Sequence, residues 1–365
     1  MQLQAFPESI EEMIKAEAKR LGFPFCGICR PDPPEHFATY LRWLEIGQNG
    51  RMDYMSSPRS KECRADPHVL LPGCQSIICL ATPYPNMEHE RQAKQGKGRI
   101  ALFASVKDYH KIIAKRLNSL VEFISRRSSK TIQAKICVDT SPILEKSYAQ
   151  RAGLGWIGRN SLLIIPNYGS NFFLAEILVD LKLNTDLPYK FDGCGDCNRC
   201  IKACPTQAIN PDRSINANSC LAYLSIEHKW PIPRELYRSF DDLILGCDIC
   251  QEVCPKNRHA LILPGIPELT HPIINPQPEL MDELMLTPDL FQKRYQDTPV
   301  LRAKYLYYMR NVLIAMGNSA SRHYTEGLLL FYDRFILHEV GGPYTQEEML
   351  MIYSLIGWVD DNCRW

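Results

Sequence analysis

The sequence predicts an α+β protein in three parts, and three observations carry that prediction. Up to residue 187, helix-periodic stretches alternate with short apolar strand-like ones, the pattern of a sheet with helices packed on it in an α+β or α/β arrangement. Between Cys194 and Pro255 stand eight cysteines at regular spacing. From residue 263 onward only helical periodicity remains, behind a connection punctuated by Pro264, Pro267, Pro272, Pro276 and Pro278. The parts are set at 1–187, 188–262 and 263–365.

In the first part, Pro7 to Leu21 reads as a helix, with Ile10, Met13, Ile14, Ala18 and Leu21 along one side. Pro24 to Ile28 reads as a strand, Pro34 to Ile46 as a helix, and residues 50–64 as a polar, basic connection. His68 to Leu71 is a helical turn, and Ser76 to Ala81 a buried strand stopped by Pro83-Tyr84-Pro85. Residues 86–99 form a polar loop. Asp108 to Ile124 is a strong helix, and Thr131 to Val138 is a strand that delivers Asp139 at its end. Pro142 to Ala152 is a helix, stopped by Gly153-Leu154-Gly155. Ser161 to Ile165 and Phe172 to Leu181 read as a hairpin turning at Pro166 to Gly169. In the last part, helices are expected over 279–285, 288–295, 300–317, 320–338 and 345–358. Met309 to Asn318 looks like the first helix of a HEAT-type unit. There is room for little more than one such unit, where a solenoid needs about three. This part is read as a short helical cap on the cysteine-rich part.

Composition sets outer bounds. A chain of 365 residues is long enough for two domains and a sizeable core. The net charge of +1 marks no general polyanion binder, so any polyanion must meet a local patch. The start reads as an amphipathic helix, without the basic and apolar regions of an export signal. No apolar run approaches the ~20 residues that span a bilayer. A cytoplasmic protein with no membrane partner is expected, and a monomer.

Cys194, Cys197, Cys200 and Cys204, followed by Pro205, have the spacing C-x2-C-x2-C-x3-C-P. That is the bacterial ferredoxin run, in which three cysteines hold one iron–sulfur cluster and the fourth reaches a second. Cys220, Cys247, Cys250 and Cys254, followed by Pro255, form a stretched second copy. The expected ligand sets cross over: Cys194, Cys197, Cys200 and Cys254 for one 4Fe–4S cluster, and Cys204, Cys220, Cys247 and Cys250 for the other. Disulfides would need an oxidising compartment. A zinc site would use two C-x2-C pairs and leaves the triple run unexplained. Cys220 rests only on the need for an eighth ligand and on its place in the order.

Two clusters conduct electrons, and something must receive them. No G-x-G-x-x-G follows a strand, and no P-loop is present. Gly153-Leu-Gly-Trp156-Ile-Gly158-Arg-Asn160 is a glycine-rich turn that either approaches a cofactor or caps a helix. Asp108-Tyr109-His110 begins the cobalamin motif D-x-H-x-x-G, but Ile113 holds the glycine position. Asp108 also suits a helix N-cap, and His110 a purely hydrogen-bonding role. Asp139 is either a site carboxylate on a loop or the N-cap of the helix at Pro142.

Together these stretches resemble the epoxyqueuosine reductases, cobalamin-dependent enzymes of tRNA queuosine synthesis. The resemblance lies in Asp108-Tyr-His110, Val138-Asp-Thr-Ser-Pro142, Glu145, Ala152 to Asn160, the Cys194 run, Cys220 to Lys229, and Gly246 to Pro255. Arg159 and Phe103 depart from the family pattern, where Lys and Tyr are usual. The resemblance implies an N-terminal α/β, reductive-dehalogenase-like domain that binds base-off cobalamin, cob(II)alamin at rest, beside a ferredoxin-like domain with two clusters. It implies reduction of epoxyqueuosine to queuosine at the wobble position of tRNAs with GUN anticodons. An external donor of flavodoxin or ferredoxin type would supply electrons. Asp139 would be the proton donor, which at neutral pH requires a pKa raised by burial. Tyr84, Tyr109, His110, Gly158 and Asn160 would contact the cofactor. The tRNA would meet Lys229 and Arg310, with Arg234, Arg302 and Lys304 as further basic candidates. Two rival readings share parts of the pattern: a corrinoid reductive dehalogenase, usually exported by a twin-arginine signal, and a ferredoxin-like electron carrier with no active site.

Overall fold

The computed structural model describes residues 9–86, 95–128, 130–319, 321, 324–334 and 344–363. The first part runs, in order, α1 (Ile10–Arg20), β1 (Phe25–Cys29), α2 (Phe37–Glu45), α3 (Asp53–Ser56), α4 (Pro58–Ala65), β2 (Ser76–Pro83), β3 (Arg99–Ile100), α5 (Tyr109–Ser128), β4 (Ala134–Cys137), α6 (Glu145–Arg151), β5 (Trp156–Ile157), β6 (Leu163–Ile164) and β7 (Phe172–Val179). The cysteine-rich part adds α7 (Arg199–Ala203), α8 (Leu221–Ile226), α9 (Tyr237–Phe240), β8 (Leu243–Leu245), α10 (Ile249–Glu252) and α11 (Pro255–Arg258). The last part holds α12 (Leu280–Leu284), α13 (Pro288–Arg294), α14 (Tyr305–Ser319), α15 (Thr325–Asp333) and α16 (Gln346–Cys363). Parts of the expected 86–99 loop and 320–338 helix, and Pro7, lie outside the described residues. Among the described residues, no helix is long and apolar enough to cross a membrane.

The main sheet has the order β1-β2-β7-β4, and every pair in it is antiparallel. The sheet is therefore of α+β type, and the parallel α/β alternative is set aside. Its two faces follow strand alternation. Ile78 and Leu80 of β2, with Ile177 and Val179 of β7, pack on the face covered by α1 and α5. Ile77, Cys79 and Leu178 point to the other face, where Tyr148 and Ala149 of α6 cover them. A capping box starts α1: Ser9 accepts from Glu12 N–H, and the Glu12 carboxylate accepts from Ser9 N–H. Gly22 ends it at φ +95°, where a Cβ would meet Ile266 at 2.8 Å. The chain after the cysteines thus returns across the end of α1.

Two expectations are corrected. Leu163–Ile164 does not form a hairpin with Phe172–Val179; it pairs with Trp156–Ile157. The turn at Pro166 exists, closed by Ile165 against Gly169, but β7 is buried along nearly its whole length and lies between β2 and β4. Within the polar connection at 50–64, residues 58–65 are helical, started by Ser57 as N-cap with Pro58 in the first turn.

The cysteine-rich part and the last part share one core, in which Leu221, Leu224, Phe240 and Ile244 pack with residues of α12, α14 and α16. Helix α14 is buried all round, with twelve of its residues inaccessible. Asn311 fixes it by donating to Ser225 O and Ile244 O, at 2.8 and 2.9 Å. Strand β3 from the first part lies parallel to β8, and buried Arg99 pairs with Asp242 and Glu252.

Candidate active site

A cavity of about 820 Å³ opens between α2, the loop after β4, α6, β5 and Arg302. That volume lies within the roughly 300–1,000 Å³ of ligand pockets. Tyr40, Trp43, Met52, Ile143 and Ile157 supply its apolar wall, and Asp139, Glu145, Lys146 and Arg213 its polar groups.

Asp139 follows β4 at φ +52°, a left-handed conformation that Asp tolerates better than most residues. It does not cap α6, whose N-cap is Leu144 with no side-chain bond. Its backbone N–H donates to Glu145 Oε1 at 2.9 Å. Its Oδ2 lies 3.1 Å from His110 Nε2 and 3.7 Å from Arg302. Asp108 caps α5 by accepting from His110 N–H, and it also holds His110 Nδ1 at 2.7 Å. His110 is thus clamped between two carboxylates, which raise its pKa to about 9. Tyr109 stacks on His110 and on Phe173, both at 4.2 Å, and its hydroxyl bonds Asp139.

The charge state of Asp139 differs from expectation. Burial acts to raise its pKa, but the His110 hydrogen bond and charge, with Tyr109 and Arg302, hold it below the ordinary carboxylate range. The proton that burial was expected to keep on Asp139 sits on His110 instead. Glu145 behaves oppositely: burial first, then the charge of Asp139, push it up to about 7. Lys146, buried beside it, donates to Ser161 O at 2.7 Å and is pulled down by burial.

The cysteines gather in two groups. Cys194, Cys197, Cys200 and Cys254 line one small cavity with Arg159 and Asn160. Asn160 Nδ2 and Arg159 Nε, both buried, have no partner there, as donors facing inorganic sulfide would not. Cys204, Cys220, Cys247 and Cys250 form the second group, close enough for their charges to interact. Among the described residues, no three ligand-type side chains close on a single-ion point. Cys204 Sγ accepts from Ala208 N–H at 3.3 Å, and Cys194 Sγ from the Trp156 indole at 3.4 Å. Trp156 also lines the large cavity, so one side chain touches both it and the first cysteine group.

The remaining expected contacts scatter. Gly158 is packed so tightly that a Cβ would meet Ile164 at 2.5 Å. Gly158 and Asn160 do not line the large cavity, and Asn160 belongs to the cysteine cavity behind β5. Tyr84 is also off the large cavity wall: it is buried, its ring is against Phe173, and Gln251 donates to its hydroxyl at 2.9 Å. Arg310 is fully buried and donates to Leu224 O, His228 O and Trp230 O, so the expected tRNA contact there is withdrawn. Lys229 donates to the carbonyls of Ile226, Arg302 and Ala303, and burial lowers its pKa to about 7. Arg302, expected as a surface charge, pairs with Glu227 and Asp139. Arg234, Arg302 and Lys304 are exposed, and Arg234 lies 3.8 Å from Asp361. The reading of the sequence overlooked Lys146 and Tyr54 on the cavity wall; a lysine directly after Glu145 was the available signal.

The family model described as Epoxyqueuosine reductase QueG, DUF1730 matches residues 64–140, and a 4Fe-4S double cluster binding domain matches residues 193–257. The epoxyqueuosine reductase of Cellulophaga algicola is 40% identical over 311 residues, covering 84% of this chain and 97% of that protein. That of Pseudomonas aeruginosa is 37% identical over 319 residues, 86% of this chain and 87% of that one. The structure of epoxyqueuosine reductase from Streptococcus thermophilus superposes with a TM-score of 0.80 at 27% identity, covering 96% of this chain and 90% of that one. The double-cluster part and the pocket beside it therefore belong to a known frame: the chain is a member of the epoxyqueuosine reductase family, a family of oxidoreductases.

Proposed function

We propose that this chain reduces epoxyqueuosine in tRNA to queuosine with a corrinoid seated in the 820 Å³ cavity and fed by two 4Fe–4S clusters. The observation that carries the reading is the placement of Asp139, held by His110 from behind, on the wall of a cavity that Trp156 joins to Cys194. The residues fit the groups. An aromatic and apolar wall with a few polar groups suits a flat macrocycle rimmed with amides. Two sets of four free cysteines suit two cubes. When bound, the corrinoid supplies a strongly nucleophilic, low-potential cobalt.

The chain's own residues do the rest. Cys194, Cys197, Cys200 and Cys254 hold one cluster, and Cys204, Cys220, Cys247 and Cys250 the other. Asp139 presents a proton to the oxygen released when the epoxide opens, drawing it from His110 at 3.1 Å. Filling the cavity displaces water, which disfavours the ion pair and moves the shared proton toward Asp139. Tyr109 and Arg302 keep the carboxylate aimed into the cavity. The tRNA is held first by charge, with Arg234 and Lys304 as exposed cations, and the modified base is turned into the cavity. An external redox protein of flavodoxin or ferredoxin type delivers the electrons.

The test is anaerobic reconstitution followed by nucleoside analysis of tRNA bearing epoxyqueuosine. Two clusters' worth of iron, stoichiometric cobalt and conversion to queuosine are expected. Iron for one cluster only, or failure to retain the corrinoid, would remove the proposal.

A further inference from the structure

Turning an epoxide into an alkene breaks two C–O bonds, forms one C=C bond and releases water. It takes two electrons, supplied here by the low-potential redox donor, and two protons. The His110–Asp139 pair holds one shared proton, so a second has to be stored nearby. Two further carboxyl groups lie beneath Asp139.

Glu145 lines the same cavity and accepts from the Asp139 backbone N–H at 2.9 Å. Glu176 sits at the centre of the sheet, opposite Cys79 on β2 and Cys137 on β4. It is 0% exposed, and neither of its carboxyl oxygens has a hydrogen-bond partner. It is on the face covered by α6, the helix that Glu145 begins. An ionised carboxylate is not tolerated in such a place, so Glu176 stays neutral and protonated. Its neighbours Cys29, Cys79 and Cys137 provide no cation. Around Glu145 stand Asp139, Lys146 and Arg64, and below it Glu176.

We propose that Glu145 and Glu176 form a buried carboxyl store that returns a proton to Asp139 during each turnover, making this a two-proton site. The inference rests on the reading of Asp139 as the group that protonates the departing oxygen. Once Asp139 has given its proton, the carboxyl of Glu145 replaces it through the cavity that both groups line. Glu176, itself neutral, lies beneath Glu145 and holds the second proton of the store, kept on it by burial and by the charge of Glu145. Both glutamates are positioning residues that act through Asp139.

The experiment combines pH-dependent infrared spectra of the protonated carboxyl band in the reconstituted wild-type enzyme with single-turnover rates across pH. Glutamate labelled at the side-chain carboxyl assigns the band without any variant. Two labelled carboxyls are expected below pH 7, one of which loses its proton near pH 7 while the other persists. Glu145→Gln should remove the titrating component and the fall in rate centred near pH 7, leave the one near pH 9 that His110 sets, and lower the rate on the order of 10-fold to 100-fold. Glu176→Gln should remove the persistent component and leave the Glu145 midpoint in place, because neutral Glu176 and Gln alike put no charge beneath it. Asp139→Asn should also move that midpoint down, because the charge of Asp139 is part of what raises it. Absence of any buried glutamic acid band in wild type, or a fall in rate still centred near pH 7 in Glu145→Gln, overturns the proposal. Wild-type turnover by Asp139→Asn would instead overturn the underlying assignment of Asp139, with the infrared result unaffected.

Discussion

Asp139 and Glu176 both belong to the central sheet, one just past the end of β4 and the other in the middle of β7. The strand-end carboxylate meets His110, Tyr109 and Arg302, and it is ionised. The mid-strand one meets thiols and another glutamate, and it keeps its proton. The two also differ in exposure: the Asp139 side chain is 44% exposed, whereas Glu176 is fully buried. At a strand end solvent reaches the carboxyl and loops from elsewhere bring it a cation, and the middle of a buried strand offers neither. Arginines show the same contrast. Arg302 at the cavity edge pairs with Glu227 and Asp139, whereas Arg310 in the core has no carboxylate and donates to three backbone carbonyls and the Asn311 side-chain oxygen.

The comparison can be broken most severely at the strand end. Asp139→Asn should lower turnover by on the order of 10²–10⁴ while iron and corrinoid content stay at wild-type level. Nucleoside analysis at single turnover reads this. In the core, Arg310→Met should leave three carbonyls without their donor and lower stability by about 3 kcal/mol in denaturant unfolding. A surface-type loss of a few tenths of a kcal/mol would place Arg310 outside the core instead.

His110 offers a pH test of smaller size. Its folded pKa of about 9 lies above its ordinary value, so its stabilising effect is full below about pH 6.5 and fades as pH rises through 9. His110→Gln should remove roughly 1–2 kcal/mol of stability at pH 6, after allowance for solvent screening, and almost none at pH 10. Glu176, a carboxyl with a raised pKa, has the same sign as His110 and the opposite of an ordinary ion-paired carboxylate. The folded state keeps a proton that the unfolded chain loses above its ordinary value, so wild-type stability falls as pH rises past about 4.5. Glu176→Gln should be close to neutral at pH 4 and more stable than wild type at pH 8, by thermal unfolding at both values.

Much of this molecule could be read from residue order. Cysteine spacing is a local property, and the two groups of four fall where the runs and their prolines put them. Helical periodicity located α1, α2, α5 and α14 to within a few residues. Asp139 was legible as a residue released at a strand end. Its charge was not, because His110 lies 29 residues away and only the fold brings it within 3.1 Å. The partner of β6 was missed for a similar reason: a turn at Pro166 marks a reversal but not which strand pairs across it. Arg310 had a signal that went unused. It lies in a helix apolar on every side, and such a helix has no surface on which to display a phosphate contact.

The parallel pairing of β3 with β8, together with the return of Ile266 onto Gly22, stitches the chain through itself twice. A cut near residue 187 would strip β3 of its neighbour, and one near 262 would uncover the end of α1. Neither half can be excised as an interchangeable module. Split-protein fragments or swapped electron-carrying inserts from free-standing carriers would therefore need both stitches rebuilt before they could assemble.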